Sequence, residues 1–151
     1  MASKLPLATL IELTQNKTDE ATRRLGRLQA ARTSAAEKLE MLQRYRQEYL
    51  DQLQLQMGEG VSAAQMRNFR NFISTLDSAI EQQRALTAQA DTRLETGRGD
   101  WQASKRRLNS FDTLAARAHL LELAAQHKRE QRDSDERGAR QFYLRAGLQG
   151  H

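Results

Sequence analysis

The chain has 151 residues, of which 38% are hydrophobic, 5% aromatic and 28% charged, and its 24 Lys and Arg against 19 Asp and Glu give a net charge of +5. That composition excludes an ordinary globular core and is typical of long helices with a narrow apolar seam. The absence of Cys excludes disulfides and thiolate metal sites, and no stretch approaches the roughly 20 apolar residues of a membrane span.

The first residues, Met1 to Leu7, carry one Lys and no apolar run after it, so no secretory signal is expected. Pro6 stands where a first helical turn tolerates it. From about residue 5 to 57 the chain reads as one helix. Its apolar seam, at spacings of three and four, runs Ile11, Ala21, Leu25, Leu28, Ala35, Leu39, Leu42, Tyr49 and Leu53. Polar gaps fall on this seam at Thr14, Thr18, Arg32 and Arg46. At 1.5 Å per residue this helix is roughly 75–80 Å long.

The strong turn signal is Met57-Gly58-Glu59-Gly60-Val61. The turn is expected over residues 58–62. Ser62-Ala63-Ala64-Gln65 then fits a capping box, with the Ser62 hydroxyl accepting from the Gln65 N–H and Gln65 reaching back. A second helix is expected over about 63–130, followed by a frayed tail over about 133–151. Its seam runs Met66, Phe69, Ile73, Leu76, Ile80, Ala90, Leu94, Trp101, Leu108, Phe111, Ala115 and Ala118. Stripes this thin need a partner to hold each helix, and the short loop makes the two antiparallel neighbours. The expected fold is therefore all-α: a single-domain antiparallel coiled-coil hairpin over 1–151, its second helix longer than its first.

A turn centred near Gly60 makes residues face each other when their numbers add to about 121. This places Leu53 near Asn68, Leu42 near Ala79, Leu28 near Arg93 and Leu5 near Ala116. Beyond about Ala118 the second helix has no internal partner, yet Leu120, Leu121, Leu123, Ala124 and Ala125 stay apolar. Such an end predicts another protein or self-association; a frayed tail with a few leucines is the alternative. Gly97-Arg98-Gly99 interrupts helix 2 at nearly the height of Gly26. The group reads as a joint, a close approach of backbones, or a weak spot costing about 1 kcal/mol per Gly.

Catalytic chemistry is not expected. His119 and His127 are too far apart for a metal pair, and neither a zinc-helix motif nor a Gly-rich phosphate loop occurs. No cofactor is expected. Positive and negative charges interleave, nine basic against eight acidic residues over 1–60 and fifteen against eleven over 61–151, so a nucleic-acid interface is not expected either. The informative residues lie beside the seam. Leu42, Tyr45 and Tyr49 form one stripe, and Phe72, Leu76 and Ala79 another. The register sets Tyr49 level with Phe72, Tyr45 with Leu76 and Leu42 with Ala79. Tyr45 and Phe72 are off-seam, and the two stripes read as one anchor patch for a protein partner; the alternative is that they widen the core.

These residues also carry a resemblance. Leu7-Ala8-Thr9-Leu10, Leu25-Gly26, Leu39-Glu40-Met41-Leu42, Tyr45, Glu48-Tyr49, Phe72-Ile73, Thr75-Leu76, Ala79-Ile80, Trp101 and Lys105 through Leu108 are similar, in that order, to the flagellar FliJ family. The resemblance covers about residues 5–125. It implies a component of the bacterial flagellar type III protein export apparatus, cytoplasmic and peripheral at the inner membrane, without insertion into it. It implies three partners: the export ATPase, whose ring it would enter as a stalk, the export-gate membrane protein, and the export chaperones. The gate contact would map onto Leu42, Tyr45, Tyr49, Phe72, Leu76 and Ala79, with Lys38 and Gln83 extending the stripes. The stalk analogy sets the helix ends in the ATPase ring, with Leu10, Leu13, Leu114, Leu121 and Ala125 as contacts. The free chain is expected to be a monomer. The alternatives are the equivalent stalk of a virulence injectisome and a homo-oligomeric coiled-coil scaffold, in which Arg32 and Arg46 would set register.

Overall fold

The computed structural model describes residues 6–149. Two helices make up the fold, α1 over Leu7–Glu59 and α2 over Ala63–Gln149, and no strand occurs among the described residues. The expected start of the first helix at Leu5, and Leu5 opposite Ala116, lie outside those residues.

The turn is built as its residues dictate. Gly60 adopts φ 94°, a left-handed conformation that Gly takes without steric cost. Its N–H donates to the Met57 carbonyl at 3.4 Å, which closes the end of α1. The Gln65 N–H donates to Ser62 Oγ at 3.1 Å, and the Ser62 N–H donates to Gln65 Oε1 at 3.1 Å, so the capping box forms in both directions. At the other end of α1 the Leu10 N–H donates to the Pro6 carbonyl at 3.1 Å.

The chain divides into two compact units, Asn16–Lys105 and Met1–Gln15 with Arg106–His151, each containing sections of both helices. In Asn16–Lys105 the two helices form an antiparallel hairpin around the turn. Every seam residue expected here is buried or half-buried. Leu76, Ile80 and Leu94 are the most deeply covered apolar side chains, each worth about 1.5–3 kcal/mol when fully removed from water.

Polar seam positions are resolved by bonds across the hairpin. Arg32 Nε donates to Asp91 Oδ1 at 2.7 Å, and Arg46 Nε to Asp77 Oδ1 at 2.6 Å. Trp101 Nε1 donates to Thr22 Oγ1 at 2.9 Å, and that hydroxyl donates on to the carbonyl of buried Thr18 at 2.8 Å. Buried Gln83 donates its Nε2 to the Ala35 carbonyl at 3.0 Å. Among the described residues no buried side-chain nitrogen or oxygen lacks a partner, the condition that lets a polar group sit in a seam.

The glycine reading is settled by packing. α2 runs through Gly97 and Gly99 without a break. Gly97 is buried, and a Cβ there would collide with Leu28 Cδ1, whereas Gly26 and Gly99 face open space. Gly97 is thus a seat for the Leu28 tip: what comes close is side-chain atoms of Leu28 and Leu25, not the facing backbone. This also corrects the facing of Leu28, expected at Arg93. Helical side chains lean toward their own N-terminus, so Leu28 reaches about one turn further along α2.

In the unit containing Met1–Gln15 and Arg106–His151, Thr14 and Leu108 are buried, and Leu7, Leu10, Ile11, Phe111 and Ala115 are half-buried. Ala118, expected in the seam, is exposed. From there to Gly147 every residue is exposed, yet the chain stays helical. The expected end of the second helix near residue 130 is therefore corrected: α2 continues to Gln149. The segment after Arg132 has few helix breakers, and Gly138 and Gly147 are isolated, each costing about 1 kcal/mol, too little to stop a helix already propagating.

Candidate functional site

On the turn half of the hairpin the aromatic side chains gather. The rings of Tyr49 and Phe72 lie 4.3 Å apart between centroids, Tyr49 and Phe69 5.0 Å, and Tyr45 and Phe72 6.2 Å. The tilts of 45–60° fall within the arrangements that aromatic pairs favour, worth about 0.5–1.5 kcal/mol beyond area burial. Tyr49 meets Phe72 as the register requires. Tyr45, expected level with Leu76, meets Phe72 instead, because both rings lie on the outer flank of the seam.

The six patch residues separate by burial. Tyr45 is 52% exposed, and Leu42, Tyr49, Phe72 and Ala79 are half-buried. Leu76 is only 7% exposed and Gln83 only 6%. Those two therefore belong to the helix–helix seam and present no surface to a partner. For Gln83 the reason is its bond to the Ala35 carbonyl, which also accepts from Thr87 Oγ1 at 3.3 Å. Lys38 is exposed. What remains is a strip with Tyr45 outermost and Phe72 and Tyr49 beneath it.

Two features escaped the patch reading. Phe69, a seam residue, also joins the aromatic cluster; its spacing of three from Phe72 is the signal that could have found it. An apolar groove of about 300 Å³ opens between Leu50, Leu53, Phe69 and Ile73 on the same half. Leu50 sits just beside the seam, which is why the stripe count passed over it.

In the other unit Leu10 is half-buried, Leu13 is 47% exposed and Leu114 49%. Leu121 is 72% exposed, and Ala125 is exposed. Leu120 and Leu123 are exposed with them, and further along α2 so are Phe142, Tyr143 and Leu144 at about 70% each. The last three, adjacent in sequence, were not separable from an undefined tail by periodicity. Among the described residues no group of three or more His, Cys, Asp or Glu could hold a metal ion, and no helix is long and apolar enough to cross a membrane.

The fold and its surfaces define a two-helix coiled-coil protein whose distinguishing features are exposed apolar side chains, placed on the turn half and along the end of the longer helix. The family model described as "Flagellar FliJ protein" matches residues 3–147, almost the whole chain. A flagellar FliJ protein from Salmonella typhi is 34% identical over 136 residues, covering 90% of this chain and 92% of its own length. One from Escherichia coli (strain K12) is 32% identical over 136 residues, covering 90% of this chain and 92% of its own length. The chain belongs to the flagellar FliJ protein family.

Proposed function

We propose that this chain is a component of the flagellar type III protein export apparatus, acting as a stalk between the export ATPase and the export gate. It works in the cytoplasm, peripheral to the inner membrane, and meets export chaperones there. The observation that carries the reading is the run of α2 from Ala118 to Gly147, helical and exposed throughout, in a chain whose hairpin residues are otherwise seam-packed. A helix this apolar at Leu120, Leu121 and Leu123 has little reason to stay open to water unless another surface covers it. Family membership supports the flagellar setting. The strip of Tyr45, Tyr49 and Phe72 supports a second contact, because Tyr45 is 52% exposed and Tyr is enriched among the residues that carry binding energy at interfaces.

The two contacts are separable by experiment. Truncation after Ala118 is expected to abolish binding to the export ATPase and to leave gate binding intact. Full retention of ATPase binding sinks the stalk reading. Tyr45→Ala with Phe72→Ala is expected to weaken gate binding roughly tenfold or more, the loss of about 1.4 kcal/mol or more from two anchors. Circular dichroism should show unchanged helicity; a parallel loss of helicity assigns the pair to the hairpin core instead.

A further inference from the structure

The cross-helix ion pairs lie along one flank of the hairpin, and that flank repeats by heptads. Beside Arg46 and Asp77 a cleft is lined by Gln43, Ile80, Glu81 and Arg84. Two heptads further from the turn the same layout recurs around Arg32 and Asp91, with Gln29, Leu94, Glu95 and Arg98. In both clefts the α1 Arg closes onto the α2 Asp, at 2.6 and 2.7 Å. The α2 Arg closes onto the Glu three residues before it, at 2.8 Å in each case. Both clefts therefore pair their own charges.

One heptad nearer the turn the pattern breaks. Leu50 and Leu53 stand where Gln43 and Arg46 would, and Arg70 and Ser74 where Asp77 and Glu81 would. With Phe69 and Ile73 they line the apolar groove of about 300 Å³. Across from Arg70, α1 offers Leu53 and no carboxylate. Three residues before Arg70 stands Arg67, another cation, where Arg84 and Arg98 each have a Glu. Arg67 and Arg70 are exposed, and neither makes an ion pair among the described residues. The nearby carboxylates are engaged elsewhere: Asp77 by Arg46, and Asp51, on the α1 side, by Gln47 Nε2 at 3.0 Å.

This groove is not the aromatic strip. At about 100° per residue, Leu50 lies about 140° around α1 from Tyr45, and Arg70 about 160° around α2 from Phe72. The two surfaces occupy opposite flanks of the turn half, with the Phe69 ring between them.

We propose that the groove is a docking site for an amphipathic helix of a partner protein. That helix presents large apolar side chains at spacings of three and four, with carboxylates along the edge that meets Arg67 and Arg70. Two side-by-side helices leave a trough that the ridge of a third can fill. The half-buried floor of Leu50, Leu53, Phe69 and Ile73 calls for apolar anchors, and the two unpaired cations select acidic neighbours. A second copy seated here about a two-fold axis would set Arg67 and Arg70 against the same arginines. A phosphate chain would meet the cations but leave the apolar floor in water. The contact is additional to those proposed for the gate and the ATPase and does not rest on them.

A methyl-detected NMR titration of the full chain tests this with two synthetic helical peptides. One carries Leu at spacings of three and four flanked by Glu; the other has Lys in place of every Glu. The Glu peptide should shift the Leu50, Leu53 and Ile73 methyls saturably and bind at least about tenfold tighter than the Lys peptide. Arg70→Glu should weaken the Glu peptide by about tenfold or more, and Arg70→Lys should keep most of its affinity. Ser74→Trp, which fills the groove from an exposed helical position, should abolish binding while circular dichroism stays that of the parent chain. Absence of saturable shifts at millimolar peptide overturns the proposal, as does equal affinity for the two peptides. Shifts centred on the Ala79 methyl place the peptide on the aromatic flank and overturn it too. Groove shifts that follow protein concentration without peptide identify a second copy as the occupant and overturn it in the same way.

Discussion

The indole of Trp101 on α2 donates to the Thr22 hydroxyl on α1 at 2.9 Å, and the hydroxyl donates in turn to the Thr18 carbonyl one turn back along α1. The chain of bonds holds a large ring over the seam and pins the stagger of the helices at that level. Thr22→Val keeps the shape and removes the acceptor. It should cost about 0.5–1.5 kcal/mol in chemical denaturation, the net worth of one hydrogen bond. Trp101 is the one Trp of the chain, so its fluorescence reads out the pairing of the helices at this site directly, and an unchanged emission maximum in Thr22→Val would count against the bond.

The cross-helix pairs Arg32–Asp91 and Arg46–Asp77 have short contacts, 2.7 and 2.6 Å, but side chains between 36% and 51% exposed. Solvent screening reduces such pairs to a fraction of their Coulomb energy. A double-mutant cycle on Arg46→Ala and Asp77→Ala should return a coupling of no more than about 1 kcal/mol, falling further at high salt. Their part in the fold is to favour one register over its neighbours, so a coupling of several kcal/mol would refute this account.

The two glycines of Gly97-Arg98-Gly99 should respond oppositely to the same change. Gly99→Ala adds a methyl to open space and gains helix propensity, raising stability by about 0.5–1 kcal/mol. Gly97→Ala makes the same gain but must displace Leu28 Cδ1. It should lie below Gly99→Ala by about 1 kcal/mol or more, the order of an overpacking cost. Thermal unfolding followed by circular dichroism gives both values, and equal shifts would remove the packing role assigned to Gly97.

Ser62→Ala deletes one half of the capping box, leaving the Gln65 N–H without its acceptor at the start of α2. The expected loss is about 1 kcal/mol. Ser62→Asp, which keeps an acceptor and adds a negative charge at the helix N-terminus, should hold stability near that of the parent chain. A neutral Ser62→Ala would mean that water replaces the cap in full.

Much of the hairpin was legible because its causes are local or periodic. Gly60 needs a left-handed backbone, and Ser62 and Gln65 need only each other, so the turn and the cap follow from a few adjacent residues. The seam from Ile11 to Leu53 and from Met66 to Ala115 follows from a repeat of three and four. Periodicity locates a stripe only to within a residue's rotation about the helix axis, and the candidate site lies at that margin. Leu76 and Tyr45 both fit the flanking stripes by spacing; packing buries the first and exposes the second. Gln83 entered the patch only through the resemblance, and its bond to the Ala35 carbonyl is visible only once the helices are set side by side.

The sequence by itself determined that this chain makes two helices, where they turn, and which faces they share, because helix formation and capping depend on neighbours within a few residues. Tertiary structure alone decided how the helices are rotated and staggered on each other. Leu28 lies on Gly97 rather than beside Arg93 because side chains lean along the helix and fill whatever space the facing helix leaves. It also decided that the helical arm beyond Ala118 stays open, since exposure is a property of what packs nearby and not of the residue itself.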